Sequence, residues 1–301
     1  MMETEKNEGL YAAVVTPMNK NGEVNISAIE KYANFLDNKK LQGVFICGST
    51  GESLLLDTEE RKRVAEAWMK HKGDLKVMVH VGSTSSKIAG TLANHAQEIG
   101  ADVVSAMGPP FLPPRGVNEL VHFNQTIAEN APYTPFYYYH VPSVSNVSVD
   151  MIQFLKEGRK AIHSLRGVKF TSYNLMEEQE CIALDNNYFD ILHGHDELFL
   201  QGMSIGARGG IGTSFNVTSL LFHKIIQAFD SDNISEAACL QAEANAFIRL
   251  MLNYENSIVS IKAILNIMGI ECGPCRLPLR NLSIVEMKKL EVDLLDFKNI
   301  I

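Results

Sequence analysis

Lys169 is the residue whose type and position point most directly to chemistry. It lies within 165–171, a mostly apolar run that is typical of a buried β-strand. Burying an ammonium group is costly unless its charge is paired, so burial is expected to lower the pKa of this lysine. A partly neutral lysine is a nucleophile that can form a Schiff base with a ketone. The alternative is a lysine at a strand end whose ammonium reaches solvent.

Two other segments carry groups that suit such chemistry. The turn Gly48–Glu52 reads Gly-Ser-Thr-Gly-Glu and precedes a predicted helix. Its two hydroxyls and glycine backbone suit a carboxylate ligand, whereas the missing lysine argues against a phosphate-binding loop. Tyr139 is the last of three tyrosines before a proline, and a phenol near an amine can move protons. Strand alternation places Tyr137 and Tyr139 on one face of the strand and Tyr138 on the other. We interpret Tyr137 and Tyr138 as packing residues.

Acidic and imidazole side chains follow another predicted strand. Asp196 and Glu197 either accept hydrogen bonds from sugar hydroxyls or begin a helix, where acidic residues are favoured, and the residues alone leave both readings open. His193 and His195 are interpreted as core or substrate-facing residues, because no convincing third metal ligand accompanies them.

Five cysteines at scattered positions do not predict a disulfide framework. Cys272 and Cys275 have the spacing of a redox or zinc pair, but no second pair completes a tetrahedral site. We therefore predict neither a metal site nor a functional role for this pair.

Short apolar runs alternate with amphipathic stretches along the chain. The runs are Tyr11–Thr16, Gly43–Gly48, Val77–Gly82, Val103–Met107, Phe136–Val141, Gly167–Phe170, Asp190–Gly194 and Gly209–Gly212. The intervening stretches are Ser27–Lys39, Thr58–Lys72, Lys87–Ile99, Val117–Asn130, Val149–Ile162, Leu175–Asn186, Glu197–Ile205 and Ser219–Phe229. Asp57, with Glu60 three residues later, and Thr218 are predicted helix caps. Eight strand–helix units predict an α/β fold, the (β/α)8 TIM barrel.

The pattern also predicts the domain organisation and the end of the barrel that carries the site. Residues 9–231 are assigned to the barrel and 232–301 to a C-terminal extension of three helices. Reactive groups collect after strands two, five, six, seven and eight, at the carboxyl ends where such barrels hold their sites. The opposite strand ends carry few groups of this kind.

Composition narrows the classes of function. A net charge of −8 and the lack of a Lys/Arg cluster argue against a nucleic-acid partner. The acidic segment 1–8 is unlike a signal peptide, and no apolar run approaches the roughly 20 residues of a membrane span. These features predict a cytoplasmic protein without a membrane partner.

Three ordered motifs resemble one known family. Gly-Ser-Thr-Gly-Glu after strand two, Tyr-x-x-Pro after strand five and Gly-Val-Lys after strand six are similar to the class I pyruvate aldolases, which include dihydrodipicolinate synthase and N-acetylneuraminate lyase. The resemblance covers about residues 9–298. It implies a (β/α)8 barrel with C-terminal helices, a homotetramer, no cofactor and no metal. It also implies that Lys169 forms a Schiff base with the C2 carbonyl of pyruvate or its adduct.

Other positions distinguish branches of the family. The synthase branch has an arginine five residues after the catalytic tyrosine, where this chain has Val144, so a second carboxylate would lose its bidentate partner. Phe136–Pro142 and Gly194–Glu197, followed by Gly209–Thr213, resemble the branch that cleaves sialic acid to pyruvate and N-acetylmannosamine.

The resemblance assigns a role to each site residue. It implies Lys169 as the Schiff-base lysine and Tyr139 as the proton shuttle. The implied substrate-binding residues include Ser49 and Thr50, which bind the carboxylate. Four more contact the polyol and amide side of the sugar: Thr171, Asp196, Glu197 and Thr213. Gly194 and Gly212 complete the substrate-binding set.

Three alternatives remain open from the residues. They are a related aldolase for another 2-keto-3-deoxy sugar acid, dihydrodipicolinate synthase, and a catalytically silent keto-acid or sialic-acid binding protein. Phe111 stands where many family members have a tyrosine that enters a neighbouring subunit's site, and a phenylalanine cannot relay a proton.

Overall fold

Eight short strands build a closed barrel in chain order in the computed structural model, which describes residues 6–301. The predicted acidic segment 1–8 therefore lies partly outside the described residues. The strands are β1 Gly9–Ala13, β2 Gly43–Ile46, β3 Lys76–His80, β4 Val103–Met107, β5 Phe136–His140, β6 Leu165–Phe170, β7 Asp190–His193 and β8 Gly209–Gly212. The pairings resolved between neighbours are parallel, which confirms the predicted (β/α)8 barrel.

Helices follow the strands and continue beyond the last one. They are α1 Ala28–Asp37, α2 Thr58–His71, α3 Ser86–Glu98, α4 Val117–Ala128, α5 Pro142–Ser145, α6 Met151–Ala161, α7 Leu175–Ala183, α8 Phe199–Ser204, α9 Phe215–Asp230, α10 Ile234–Leu252, α11 Ser257–Ile267 and α12 Ile284–Asp293. Three 3-10 turns, Ser53–Leu55, Asp196–Leu198 and Leu294–Phe297, complete the set in residues 6–301.

Local capping chemistry accounts for several helix starts. At α2, Asp57 accepts a hydrogen bond from the Glu60 backbone N–H and Glu60 reciprocates, which confirms the predicted capping box. The prediction for Thr218 is wrong, because α9 begins at Phe215 after Ser214. Thr218 is buried inside the helix, where its hydroxyl donates to the Ser214 carbonyl. The apolar positions of the first turn extend the helix four residues before the predicted start at Ser219.

The chain divides into two compact units, each built from separated stretches of sequence. The first comprises 6–9 of the described chain, Met78–His195 and Gln201–Ile211. In its core, the Tyr138 ring of β5 packs on Phe154 of α6 with centroids 4.5 Å apart.

The second unit comprises Leu10–Val77, Asp196–Leu200 and Gly212–Ile301. Its core includes the rings of Phe199, Phe215 and Phe222, which meet edge to face. The predicted C-terminal helices correspond to α10, α11 and α12. The division into 9–231 and 232–301 stays a prediction.

Helix length and hydropathy also bear on membrane partners. Within residues 6–301, none of the helices is both long enough and apolar enough to cross a bilayer.

Candidate active site

Lys169 and Tyr139 are neighbours on two adjacent strands of the first unit. Strand register pairs Tyr139 of β5 with Lys169 of β6. Both residues are buried, with 4% and 5% of their surfaces exposed respectively. The Lys169 Nζ lies 4.3 Å from the centroid of the Tyr139 ring. The negative face of an aromatic ring attracts a cation at this distance, so the phenol stabilises positive charge on Nζ.

His80 is a neighbour of this pair that the sequence analysis did not identify. It ends β3, and its ring meets the Tyr139 ring edge-on, with centroids 5.8 Å apart at 90°. The contact restricts the orientation of the phenol. His80 could have been predicted as a site residue from the sequence, because it is a polar side chain at the carboxyl end of a barrel strand.

Thr171 and Gly194 lie in close contact just after β6 and β7. The Thr171 hydroxyl oxygen is buried and has no hydrogen-bond partner among residues 6–301. A Cβ atom on Gly194 would stand 2.0 Å from that oxygen, so only glycine leaves space for the threonine. An unpaired buried hydroxyl is costly, which makes Thr171 a site for an external hydrogen-bonding group.

Tyr173 and His195 form a stacked pair at the same strand ends. Their rings are 4.2 Å apart and inclined by only 16°. Tyr173 is 69% exposed, so the stack presents a flat aromatic surface. Tyr173 was not predicted as a site residue, because its loop carries no recognisable spacing.

The opposite end of β5 carries a second polar cluster, contrary to the expectation that these strand ends hold few such groups. The Tyr137 hydroxyl donates a hydrogen bond to Asp190, and Asn7 donates to both residues. Tyr137 is thus more than the packing aromatic predicted. Burial raises the pKa of Asp190, against the effect of these hydrogen bonds.

Two histidines of β5 and β7 belong to the core of the first unit. His193 Nδ1 lies 2.8 Å from Glu178 Oε1 of α7, and both side chains are fully buried. His140 packs against Phe170, with centroids 4.9 Å apart. Burial lowers the pKa of His140 to about 4, so the ring is neutral at neutral pH.

In the second unit, hydroxyls of two separate loops meet. Thr50 Oγ1 lies 2.8 Å from Thr213 Oγ1, and Thr50 is buried. Ser49, the neighbouring predicted residue, is partly exposed. The Thr16 hydroxyl donates a hydrogen bond to the Gly51 carbonyl at 2.7 Å, which fixes the backbone just after Thr50. The hydroxyls of Thr16, Thr50 and Thr213 therefore lie at the turn that was predicted to bind a carboxylate.

Asp196 has a structural role in the second unit. It begins the 3-10 turn, and its Oδ2 accepts hydrogen bonds from the Ser214 backbone N–H at 2.7 Å and hydroxyl at 2.6 Å. A Cβ atom on Gly212 would lie 2.4 Å from the Asp196 carboxylate, so this glycine permits the interaction. Glu197 follows in the same turn and is partly exposed. Asp196 therefore begins a helical turn, which is one of the two roles considered for it from the sequence.

The two positions singled out for departures from the family lie on exposed segments. Phe111 follows β4 and is 78% exposed, and Val144 of α5 is 49% exposed. Within residues 6–301, no group of three or more His, Cys, Asp or Glu side chains is arranged to hold a metal ion.

Known proteins resemble the chain over nearly its whole length. Residues 6–296 match the dihydrodipicolinate synthetase family. The chain is 36% identical to N-acetylneuraminate lyase A of Xenopus laevis, with 90% of each protein covered. It is 35% identical to N-acetylneuraminate lyase of Homo sapiens, with 98% of this chain and 96% of that protein covered. The solved structure of Proteus mirabilis N-acetylneuraminate lyase matches with a TM-score of 0.95 and 32% identity, over 99% of this chain and 100% of that one.

Proposed function

The chain belongs to the dihydrodipicolinate synthetase family, and within it we propose a Schiff-base lyase that reversibly cleaves N-acetylneuraminate to pyruvate and N-acetylmannosamine. Relatives at 36% and 35% identity, and a structural neighbour at 32%, carry the lyase name. These likenesses favour the sialic-acid reaction over the synthase and over other sugar-acid aldolases.

The observation that carries the chemistry is the contact between Lys169 and Tyr139. The buried Lys169 amine lies 4.3 Å from the centre of the phenol ring, a surface that stabilises positive charge, and we assign the proton transfers to the hydroxyl of the same phenol. A protonated imine on Nζ carries the same charge as the ammonium. The ring therefore stabilises the covalent intermediate.

The reaction begins when the neutral Lys169 amine adds to the C2 carbonyl of the open-chain sugar. Tyr139 protonates the hydroxyl of the resulting carbinolamine, and loss of water gives a protonated imine. This imine accepts the electron pair of the C3–C4 bond as that bond breaks. The proton of the C4 hydroxyl leaves through Tyr139, with the substrate carboxylate assisting. The resulting enamine takes a proton at C3, and hydrolysis of the imine releases pyruvate and regenerates Lys169.

The remaining predicted residues are proposed to bind the substrate. Ser49 and Thr50 would hold the carboxylate through their hydroxyls and adjacent backbone N–H groups. Thr171 would bond a sugar hydroxyl, which would satisfy its buried oxygen.

The other five residues are assigned to the remaining part of the sugar. Glu197 and Thr213 would accept or donate hydrogen bonds there, and Asp196 would contribute its carboxylate while remaining bonded to Ser214. Gly194 and Gly212 would contribute close backbone approach, since each already leaves room for a neighbouring polar group.

Assembly and location are also proposals. A homotetramer in the cytoplasm is what the family resemblance and the composition support. Sedimentation equilibrium of the purified chain tests the subunit count, and a stable monomer would contradict it.

Borohydride trapping tests the mechanism. Reduction in the presence of pyruvate should leave a stable mass increase on the peptide that contains Lys169. Incubation with N-acetylneuraminate should then yield pyruvate and N-acetylmannosamine with the wild type but not with Lys169→Ala. An unmodified Lys169 peptide would rule out the Schiff base, and a modified peptide without sugar cleavage would rule out the substrate.

A further inference from the structure

We propose that Glu52 is a positioning residue, which holds the carboxylate-binding turn in place through contacts with Lys262 of α11 and the backbone of Arg276. This inference rests on the proposed function, since it assumes that the turn Gly48–Glu52 receives the carboxylate of pyruvate. We call the contacts of Glu52 with Lys262 and Arg276 the Glu52 clamp. It gives the C-terminal segment a part in substrate binding.

The Glu52 clamp is a fully buried ionic contact. Lys262 Nζ donates to Glu52 Oε1 at 2.7 Å, and the side-chain exposures are 1% for the lysine and 0% for the glutamate. The Arg276 backbone N–H donates to the other oxygen, Oε2, at 2.7 Å. Each carboxylate oxygen therefore has its own donor, so the carboxylate is held in position as well as in orientation.

Glu52 adopts a backbone conformation that a non-glycine residue rarely takes. Its φ of 58° and ψ of 31° lie in the left-handed region. Such a conformation persists where surrounding contacts fix it. The clamp supplies contacts of that kind, because it attaches the side chain to segments more than 200 residues away.

The conformation of Glu52 determines the shape of the turn. The Glu52 N–H donates to the Ser49 carbonyl at 3.0 Å, and the Ser53 N–H donates to the Gly48 carbonyl at 3.2 Å. Rotation of Glu52 out of the left-handed region would break the second bond, because the φ and ψ of Glu52 set the position of the Ser53 N–H. The Ser49 and Thr50 hydroxyls would then lose their fixed positions.

The segment that carries the clamp is itself well anchored. Asn266 bonds to both the N–H and the carbonyl of Gly273, whose φ is +63°. Arg276 forms a two-point contact with Glu60 of α2. Its guanidinium also donates to the Leu55 carbonyl at 2.8 Å, just beyond the turn. The clamp therefore connects the turn to a rigid support.

The Cys272–Cys275 pair now has a structural explanation. Burial, reinforced by the negative charge of Glu52, raises the pKa of Cys275 to about 12. The Cys272 carbonyl accepts a hydrogen bond from the Met18 N–H at 2.9 Å. Both cysteines are thus packing residues of the segment that supports the clamp.

The test measures how borohydride trapping of Lys169 depends on pyruvate concentration. Lys262→Met should raise the concentration for half-maximal trapping about tenfold to a hundredfold, because the carboxylate-binding hydroxyls are displaced. Glu52→Asp, which keeps the charge but shortens the reach, should shift it in the same direction by a smaller factor. At saturating pyruvate, the KM for N-acetylmannosamine should change less than twofold in both variants.

Ile264→Ala provides a matched control on the same helix. Ile264 is fully buried in α11 and is not a member of the clamp, so its truncation destabilises the helix packing alone. This variant should lose thermal stability but keep the wild-type dependence on pyruvate.

The possible outcomes separate the two proposals. No adduct in the wild type would overturn the proposed function and the clamp together. An adduct in the wild type, with unchanged pyruvate dependence in Glu52→Asp and in folded Lys262→Met, would overturn the clamp alone. If Lys262→Met does not fold, Glu52→Asp decides.

Discussion

Two buried lysines, one in each compact unit of the described chain, have contrasting surroundings. Lys262 is 1% exposed, and its ammonium group donates a hydrogen bond to the Glu52 carboxylate at 2.7 Å. Lys169 is 5% exposed, and its Nζ lies over the face of the Tyr139 ring. A carboxylate partner forms an ion pair with an ammonium group, whereas the face of a phenol ring attracts a cation and its hydroxyl can exchange protons with an amine. The chemical group that contacts a buried lysine therefore indicates its role better than the extent of its burial does.

Replacing each lysine by methionine should separate the two roles. Lys169→Met should lower kcat/KM at least about a thousandfold, because the nucleophile is lost, while the melting temperature stays near that of the wild type. Lys262→Met should lower the free energy of unfolding by about 3–5 kcal/mol, because Glu52 is left as a buried unpaired charge. Turnover assays and thermal unfolding measure the two effects.

A control variant tests whether the pairing is responsible for the second effect. Combining Lys262→Met with Glu52→Gln removes both charges and should recover part of the lost stability. The contrast between the lysines would fail if Lys169→Met unfolded the chain or if Lys262→Met left its stability unchanged.

Replacing Tyr139 by phenylalanine should sharpen the role of the ring beside Lys169. The variant keeps an aromatic face over Nζ but loses the hydroxyl, so pyruvate should still be trapped on the lysine. The rate of sugar cleavage should fall about a hundredfold to ten-thousandfold, the usual contribution of a positioned proton donor or acceptor. Single-turnover kinetics with N-acetylneuraminate measure this rate, and near-wild-type cleavage would remove Tyr139 from the proton relay.

Acid stability should report the neutral histidine on the strand beside Lys169. The folded pKa of His140, about 4, lies below the ordinary unfolded value of about 6.5, so the unfolded chain binds the proton first. The contribution of His140 to stability is fully present above about pH 6.5 and is lost as the pH falls towards 4. It is on the order of 3 kcal/mol.

His140→Phe isolates this effect because it keeps a buried ring but cannot be protonated. Between pH 6.5 and 4 its free energy of unfolding should fall less than that of the wild type, as measured by urea denaturation. Equal pH dependence in the two proteins would show that His140 is not the titrating group.

Cysteine labelling should detect the smallest difference, the rigidity of the segment around Lys262. Burial raises the pKa of Cys272 and Cys275 to about 12, so roughly one thiol in ten thousand is ionised at pH 8. Iodoacetamide should therefore label the exposed Cys239 first, and Lys262→Met should accelerate labelling of the buried pair. Peptide mass spectrometry follows each cysteine, and rapid labelling of Cys272 in the native wild type would contradict the structure.

Much of the fold followed from period and turn chemistry. The boundaries of β4 and β8 match the predictions residue for residue, because each run is short, apolar and bounded by turn residues. The predicted start of α9 was wrong because Thr218 and Ser219 are polar in sequence but buried in the helix, so the pattern indicates a capped helix start there. The short helix α5 was not predicted, since a four-residue helix that begins at a proline is too short to show a period.

The candidate site was predictable only in part. Strand-end position and motif identified Lys169 and Tyr139, and strand register confirms that the two are neighbours. The sequence could not reveal that Tyr137 bonds to Asp190, which is 53 residues away, because such pairs depend on tertiary contact. The roles of the substrate-binding residues stay predictions.

The sequence separation within the Glu52 clamp has a consequence for how the protein is made. Lys262 is synthesised 210 residues after Glu52, a delay of roughly 10–40 s at ordinary translation rates. Throughout that interval the nascent chain contains the Gly-Ser-Thr-Gly-Glu turn without the ammonium that pairs with its glutamate. On the proposed function, competence to hold a keto acid is therefore acquired late in biosynthesis, once α11 has emerged from the ribosome. A polypeptide released early would keep Lys169, the proposed Schiff-base residue, yet would lack the Glu52 clamp.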